Sequence, residues 1–273
     1  MAEYHERVAT VATDILSAIQ EQLEKHNVTH SEYRVAWKWL AGLAESGELP
    51  LFLDVFFESV VERLTHDGKP GSQGTVQGPY HLPDAPLLTE EPFVLPMRDD
   101  EPGEPIVFTG SVRGLDGSPL EGALIDMWQA GNDGTYSGFV GDAPPGNLRG
   151  RIRTGADGTF QVRTIRPAAY QIPAAGPTGE FLSLLGKHAW RPAHFHFIIT
   201  AEGYEPLITQ LYFSGDRWLD AGDGDVVGAV KDDLVIDVRE GDDPELASRY
   251  GLTGPYQIAE YDFVLRQGDA NVS

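Results

Sequence analysis

Residues 191–197 read RPAHFHF, and the two histidines in this segment have a spacing that could serve metal chemistry. In a β-strand successive side chains point to opposite faces, so His194 and His196 share one face while Phe195 and Phe197 lie on the other. Two imidazoles on one face can converge on one ion. An isolated His-X-His is more often a partly exposed polar sheet face, so further ligands are needed to decide.

Those ligands must bind through nitrogen or oxygen, because the chain has no cysteine. Most acidic residues near the predicted strands occupy turn positions, where aspartate has a local structural role. Two tyrosines are better placed. Tyr136 follows the turn NDG, and Tyr170 lies between Pro167 and Pro173. Half-buried packing is the default role of a tyrosine, and spacing alone does not exclude it.

The first 65 or so residues have the apolar period of helices. Thr29 and Glu32 form a capping-box pattern that begins a second helix, which Gly47 can end. Pro50 suits the first turn of a third helix, LFLDVFFESVVERL. The first helix buries its apolar face either in a core under the next domain or at a dimer interface. That face is defined by Val8, Val11, Ile15, Ile19 and Leu23.

From HDGKPGSQG onward, short apolar segments alternate with turns such as Asp116-Gly117, Asp133-Gly134 and Asp157-Gly158. The segment AAGPTGEFLSLLGKH predicts a loop with one or two helical turns. The pattern predicts a mainly β fold, with a helical domain in residues 1–70 and an antiparallel β-sandwich in residues 71–273. The predicted strands are IVFTGSV, ALIDMW, TFQVRTI, HFHFIIT, LITQLYF, DLVIDV and AEYDFVL.

The composition limits the partners. Acidic residues number 42 against 20 basic ones, a formal net charge of −22, which disfavours nucleic acid and anionic membranes. No apolar run approaches the ~20 residues of a membrane span. The first residues lack the pattern of a secretory signal, and the protein is expected in the cytoplasm.

Several segments, in their order along the chain, resemble the intradiol ring-cleavage dioxygenases of the catechol 1,2-dioxygenase group. LFLDVFFE and QGPY are most similar to the chlorocatechol and hydroxyquinol members. The resemblance implies one Fe(III) ion per chain, held by Tyr136, Tyr170, His194 and His196. The segments are DMWQAGNDGTYSGF, NLRGRIRT, RTIRPAAYQIP, LLGKHAWRPAHFHF and LITQLYF.

The implied reaction is cleavage of catechol or a chlorocatechol between the two hydroxylated carbons, with O₂, to give a cis,cis-muconate. The alternative within this chemistry is hydroxyquinol as substrate, giving maleylacetate. Phenolate is a hard ligand that suits Fe(III). Two phenolates and one hydroxide balance the charge of the ion. The resemblance implies that Tyr170 and the hydroxide leave when a catechol dianion binds, each taking one substrate proton.

The resemblance also implies roles around the metal. Arg191 would stabilise developing negative charge, with a surface ion pair as the alternative. Gln210 would be a hydrogen-bond partner behind the ligands, with a buried strand amide as the alternative. Asp54 could recognise ring substituents through a hydrogen bond, whereas Leu51 and Val55 could also be helix core. The implied substrate-binding residues are Leu51, Asp54, Val55, Val76, Gly78, Pro79, Tyr80, Ile172 and Arg191.

The resemblance further implies a homodimer with a lipid-like molecule enclosed between the N-terminal helices. Two other classes stay open at this point. A cupin would use His-X-His with a glutamate and a further histidine, although no histidine follows His196. A non-catalytic β-sandwich binding module would use the histidines only as part of a sheet face.

Overall fold

The computed structural model describes residues 2–139, 141–220 and 224–268. The chain forms two compact units, Met1–Leu49 and Pro50–Ser273. The functional division between residues 70 and 71 stays a prediction. No helix in the described ranges combines the length and hydropathy of a membrane span.

The first unit contains α1 (Ala2–Lys25) and α2 (His30–Glu45), as the apolar period predicts. The capping box is confirmed: Glu32 accepts a 2.7 Å hydrogen bond from the Thr29 backbone N–H, and Thr29 caps the Glu32 backbone in return. Gly47, with φ of +74°, follows the end of α2. The predicted apolar face of α1 is between 39% and 55% exposed in the single chain.

The predicted third helix is present but interrupted. It consists of α3 (Leu49–Leu53), a π-helical turn (Asp54–Glu58) and α4 (Ser59–His66). π-Turns re-aim side chains and are frequent near functional sites. The predicted helical turns at FLSLLG are confirmed as α5. The remaining helices are α5 (Pro177–Leu184), α6 (Arg217–Asp220), a 3₁₀ turn (Asp232–Leu234) and α7 (Pro244–Arg249).

The strands form a six-stranded sheet, a five-stranded sheet and a two-stranded ladder. The six-stranded sheet has the order β1-β5-β2-β12-β11, with β13 also paired to β2, and the five-stranded sheet has the order β10-β9-β8-β3-β4. The ladder joins β6 and β7. The bounds are β1 (Phe93–Val94), β2 (Pro105–Gly114), β3 (Leu124–Gln129), β4 (Arg149–Arg153), β5 (Thr159–Ile165), β6 (Tyr170–Gln171), β7 (Trp190–Arg191), β8 (His194–Thr200), β9 (Leu207–Phe213), β10 (Val235–Ile236), β11 (Val238–Glu240), β12 (Gln257–Glu260) and β13 (Phe263–Leu265).

Two parts of the predicted fold are corrected. The helices contain more residues than the strands, so "mainly β" describes the second unit rather than the chain. The sheets are mixed rather than antiparallel, since β1 lies parallel to β5, β10 to β9, and both β12 and β13 to β2. Strands far apart in the sequence are not joined by hairpins, so their direction is left to the longer connections.

Two predicted strands are also broken. AEYDFVL divides into β12 and β13 around Asp262, which accepts hydrogen bonds from the Ser111 backbone N–H (2.8 Å) and hydroxyl (2.7 Å). DLVIDV divides into β10, in the five-stranded sheet, and β11, in the six-stranded sheet. Apolar residues stand on both sides of each break, so the pattern alone does not reveal it.

Buried apolar residues from both large sheets form one hydrophobic cluster. The Phe108 ring of β2 lies 5.6 Å from Phe195 and 5.4 Å from Phe197 of β8, centroid to centroid. Both β8 phenylalanines are fully buried in this core, as predicted. Because side chains alternate along a strand, His194 and His196 are directed to the other face of β8.

Candidate metal centre

Donor atoms from three distant segments meet on that face. The Tyr136 Oη atom lies 3.0 Å from His196 Nε2 and 3.4 Å from His194 Nε2, and the two Nε2 atoms are 2.9 Å apart. The Tyr170 ring lies 5.4 Å from that of Tyr136 and 5.7 Å from that of His194, centroid to centroid. All four side chains are at most 6% exposed. The partly exposed polar face is therefore the wrong interpretation of the two histidines.

Strand register fixes the histidines and their neighbours. β8 lies between β3 and β9, so His196 is paired with Trp128 on one side and Gln210 on the other. His194 is paired with Tyr212. The Trp128 and His196 rings stack at 4.8 Å with an interplanar angle of 9°. Ladder hydrogen bonds and stacking together hold the His196 imidazole in one orientation.

Tyr136 lies in the loop after β3, and its position depends on the NDG turn. The Asp133 carboxylate accepts hydrogen bonds from the Thr135 backbone N–H (3.0 Å) and hydroxyl (2.7 Å). Gly134 has φ of +80°, and a Cβ atom there would lie 2.7 Å from the Tyr170 Cβ. Glycine therefore permits both the turn and the close approach of the two tyrosine segments.

Tyr170 is positioned by the two-stranded ladder, in which it is paired with Arg191. Arg191 precedes His194 by only three residues. The ladder therefore couples the second tyrosine to the segment that carries both histidines.

Burial keeps the imidazoles neutral. It lowers the pKa of His194 to about 3, with a further contribution from the Arg191 charge, and lowers the pKa of His196 well below its usual range. The His194 Nδ1 atom lies 2.7 Å from the Pro192 carbonyl oxygen. A carbonyl oxygen only accepts, so Nδ1 carries the proton and Nε2 presents its lone pair to Tyr136 and His196. This is the form in which histidine binds a metal.

Burial has the opposite consequence for the phenols. It raises the pKa of Tyr136 well above the ordinary value, and it raises that of Tyr170 against the opposing effect of Arg191. A buried phenol ionises only if a positive charge is placed beside it, and a bound cation supplies one. Two imidazole nitrogens and two phenol oxygens form a donor set that suits ferric iron.

The described residues contain no group of three or more histidine, cysteine, aspartate or glutamate side chains that could hold a metal. The cupin arrangement, with a glutamate and a third histidine, is therefore not found in the described part of the chain. A four-donor site around His194 and His196 requires the tyrosines.

Arg191 is 2% exposed, so the surface ion pair is the wrong alternative for this residue. Its Nε and Nη2 atoms each lie 3.0 Å from a carboxylate oxygen of Asp225, and Nη1 lies 3.3 Å from His194 Nε2. Burial lowers the pKa of Arg191, but Asp225, Tyr170 and Tyr212 together hold the pKa above its usual range. Burial likewise raises the pKa of Asp225, but Arg191, His194 and the Ala229 backbone N–H together hold that pKa below its usual range.

Gln210 is fully buried and joins three segments. Its Oε1 accepts hydrogen bonds from Arg191 Nη2 (2.8 Å) and Tyr212 Oη (2.7 Å), and its Nε2 donates to the Val76 carbonyl oxygen (2.6 Å). The amide therefore contacts Arg191 and the VQGPY segment behind the histidines.

Two family models match the chain along most of its length. The model described as "Dioxygenase" matches residues 76–267, and "Catechol dioxygenase N terminus" matches residues 5–73. The chain belongs to the catechol dioxygenase family. It is 43% identical over 264 residues to a chlorocatechol 1,2-dioxygenase of Rhodococcus opacus, covering 95% of this chain and 98% of the relative. It is 33% identical to a hydroxyquinol 1,2-dioxygenase of a Rhizobium strain, covering 95% and 89%.

Solved structures agree with this family membership. The crystal structure of 3-chlorocatechol 1,2-dioxygenase from Rhodococcus opacus 1CP matches with a TM-score of 0.87 and 41% identity, over 96% of this chain and 99% of that one. The hypothesis of a non-catalytic binding module is therefore wrong, because the chain belongs to a family of enzymes.

In this catechol dioxygenase the structure brings most of the expected substrate-binding residues to the site. Gly78 lies next to His196: a Cβ atom built on Gly78 would be 3.4 Å from the imidazole Cε1 atom. Asp54 is half-buried, and burial raises its pKa. Pro79 is exposed. The others pack with Tyr136 and Tyr170 in one buried cluster: Leu51, Val55, Val76, Tyr80 and Ile172.

A cavity of about 500 Å³ opens beside the two tyrosines. Cavities of this size accept small aromatic molecules. Of the predicted substrate-binding residues only Tyr80 lines this cavity; Leu51, Val55, Val76 and Ile172 lie in the buried cluster instead. The cavity is lined by Tyr80, Asp133, Gly134, Thr135, Tyr136, Ala169, Tyr170, Gln171, Pro173 and Trp190.

Four residues that the structure places next to the candidate donors or Arg191 were not predicted from the sequence. Tyr212 lies two positions after Gln210 and so shares its face of β9, which is a signal that could have found it. Trp128 and Arg149 lie inside segments that carry the family resemblance, but nothing in their spacing assigns a role. Asp225 lies in an irregular segment with no period to interpret.

We expect Gly134→Ala to disturb Tyr170 as well as the turn. A non-glycine residue in this backbone region costs about 1–2 kcal/mol of folding free energy, and the new methyl group would collide with the Tyr170 Cβ. We predict lower stability, measured by urea unfolding, together with weaker metal binding, measured by elemental analysis after iron loading.

The matched control is Gly117→Ala, because Gly117 has φ of +81° in another Asp-Gly turn, and a Cβ atom there would have no neighbour within 4 Å. It should lose similar stability and keep its iron. Equal iron content in the two variants would show that the close approach to Tyr170 is unimportant.

Proposed function

We propose that this chain is a non-haem Fe(III) intradiol dioxygenase that cleaves catechol or chlorocatechols with O₂ to cis,cis-muconates. The observation that carries the proposal is the convergence of Tyr136 Oη with the Nε2 atoms of His194 and His196, all within 3.4 Å, beside Tyr170. The higher identity to a chlorocatechol enzyme than to a hydroxyquinol enzyme supports the choice of substrate. Hydroxyquinol cleavage to maleylacetate is the second candidate, and the cytoplasm is the expected location.

The donor set fits one ferric ion per chain, held by Tyr136, Tyr170, His194 and His196. When bound, the ion would supply Lewis acidity that draws electron density from the two catechol oxygens. The two neutral imidazoles bring lone pairs without protons to lose. The two phenols would bring two of the three negative charges that balance a ferric ion, once its field ionises them.

Tyr170 can also move a proton. Its Oη atom would accept a proton from one catechol hydroxyl if the substrate took the place of this phenolate. The ladder to β7 keeps the displaced ring close to the site. No further general base is then required for that proton.

Arg191 holds a positive charge beside the reacting ring. Asp225 and Gln210 fix the guanidinium from two sides, so it needs no reorganisation as negative charge develops on the substrate. The buried apolar cluster around Leu51, Val55 and Ile172 excludes water and strengthens this interaction.

The direct test of the function is oxygen uptake by iron-loaded protein, with catechol, chlorocatechols and hydroxyquinol assayed in parallel. We expect uptake of one O₂ per ring and both oxygen atoms in the product when ¹⁸O₂ is used. Fastest turnover with hydroxyquinol would select the second candidate. Absence of uptake with every diol would reject the proposed function.

Tyr136→Phe should remove the metal with little change in packing, because the ring stacked on Tyr80 at 4.5 Å is kept while the donor oxygen is lost. We expect the wild-type protein to be coloured, with about one iron per chain, since ferric phenolate absorbs visible light. The variant should lose colour, iron and turnover.

Tyr256→Phe is the control for that variant. The Tyr256 hydroxyl donates to the Asp243 carbonyl oxygen at 2.7 Å, in a different hydrophobic cluster. Its loss should cost only about 1 kcal/mol of unfolding free energy. A Tyr136→Phe protein that is colourless and fully active would refute the ligand assignment.

Arg191→Lys separates charge from geometry. Removing one partner of a buried ion pair costs about 3–5 kcal/mol, so Arg191→Ala risks unfolding, whereas lysine keeps the charge beside Asp225. We expect kcat to fall by roughly 10²–10³-fold, as for other preorganised donors, with iron and colour retained. Lysine cannot reproduce the planar fork.

Arg151→Lys is the matched control for Arg191→Lys, because Arg151 Nε donates to the Ala85 carbonyl oxygen at 2.7 Å away from the metal centre. Its kcat should match that of the wild type. A wild-type kcat for iron-loaded Arg191→Lys would contradict the need for the fork.

We also propose that the protein is a homodimer, with a lipid-like molecule bound at the N-terminal helices. The support is the apolar face of α1, whose side chains are exposed in the single chain. Light scattering should give twice the mass of one chain. Ile15→Glu with Ile19→Glu should give monomer or aggregate, and a monomeric wild-type mass would refute the dimer.

A further inference from the structure

Arg149, at the start of β4, is a buried cation that the proposed reaction does not use. Its side chain is 1% exposed, although burial of a charged group is costly unless the charge has partners. Each of its three nitrogens donates a hydrogen bond: Nε to Ser137 Oγ (2.9 Å), Nη2 to the Ser137 carbonyl oxygen (2.9 Å) and Nη1 to the Tyr80 carbonyl oxygen (2.6 Å). All three acceptors are neutral.

These contacts connect the two segments that position the Tyr136 ring. Ser137 follows Tyr136 in the chain, and the Tyr80 ring stacks on the Tyr136 ring at 4.5 Å with an interplanar angle of 21°. The planar guanidinium therefore joins the backbone that carries Tyr136 to the backbone that carries the stacking ring. The Ser137 hydroxyl is itself fixed, since it donates to the Asn147 carbonyl oxygen at 2.7 Å.

The charge of Arg149 faces the same ring. The guanidinium carbon lies 5.9 Å from the centroid of Tyr136. Among the described residues no carboxylate lies within ion-pair distance of Arg149, unlike Arg191 with Asp225. A neutral phenol gains little from this charge, whereas a phenolate in a buried site gains much more.

We propose that Arg149 is a positioning residue for Tyr136, whose fork fixes the ring and whose charge stabilises the phenolate that binds the metal. The inference rests on the proposed ferric site. Hydrogen-bonded partners that support metal ligands typically contribute 10–100-fold to metal affinity. The competing explanation is that Arg149 only ties two loops together.

The experiment compares Arg149→Met, Arg149→Lys and Arg151→Met after iron loading. The readouts are the wavelength of the visible absorption band and the iron retained against a chelator. Arg149→Met removes the cation, so the phenolate electrons are less stabilised and their transfer to iron needs less energy. We expect its band at longer wavelength and about 10–100-fold weaker iron binding.

Arg149→Lys keeps a cation and loses the fork. We expect its band near the wild-type wavelength, with iron binding weakened. Arg151→Met is the matched control, because Arg151 lies on the same strand and also donates to the carbonyl oxygen of a neighbouring loop. We expect it to keep both the band and the affinity of the wild type.

If Arg149→Met does not fold, Ser137→Ala provides the milder test, since it keeps the cation and removes only the hydroxyl that accepts from Nε and donates to the Asn147 carbonyl oxygen. It should weaken iron retention in the same direction. If Arg149→Met or Ser137→Ala keeps the wild-type absorption band and iron affinity and loses only stability, the inference is overturned. Arg149 would then serve only to link the two loops. A wild-type protein with no visible band after iron loading would instead overturn the ferric site itself. The two failures are therefore distinguishable.

Discussion

Desolvation of four donor side chains is the constraint on which this site depends. Two imidazoles with their Nε2 atoms 2.9 Å apart, and a phenol hydroxyl at 3.0 Å from one of them, are removed from water. Burial keeps the imidazoles unprotonated and the phenols protonated. Neutral donors in a dry cluster gain most from a small, highly charged cation, because such an ion supplies the field that water no longer supplies.

The two-sheet core makes this cluster possible. Phe195 and Phe197 pack against Phe108 on one side of β8, and this packing fixes the strand register that sends both histidines to the other side. The register then adds Trp128 on β3 and Gln210 on β9 beside His196. One strand thus contributes both to the hydrophobic core and to the donor cluster, so the rigidity of the core is passed to the site.

Two buried arginines contact different donor side chains and have different hydrogen-bond partners. Arg191 is neutralised by Asp225 and lies beside His194. Arg149 has neutral acceptors and faces Tyr136. A paired arginine keeps the orientation of its N–H donors, but the counter-ion reduces its electric field at long range. This suits a group that acts at short range on a substrate. An arginine with neutral acceptors keeps its full charge, which suits the stabilisation of a permanent anion such as a ligand phenolate.

The sequence by itself determined the local elements and the residue types of the site. Period-two alternation located β5, β8 and β9 and the shared face of His194 and His196, and the capping box located the start of α2. The resemblance of the motif segments to the dioxygenase family identified Tyr136 and Tyr170 as ligands. Spacing alone could not select these two from the ten tyrosines in the chain. Strand direction could not be predicted, because β12 and β13 join β2 through connections with no hairpin signal.

Only the tertiary structure decided the burial and the long-range partners. The exposed or buried state of Arg191 is set by segments distant in sequence, and Asp225, 34 residues further on, has no local pattern that marks it as the counter-ion. The π-turn at Asp54–Glu58 and the fork of Arg149 across two loops are likewise invisible in a linear pattern. Residue pattern reports on neighbours along the chain, whereas desolvation and charge pairing depend on neighbours in space.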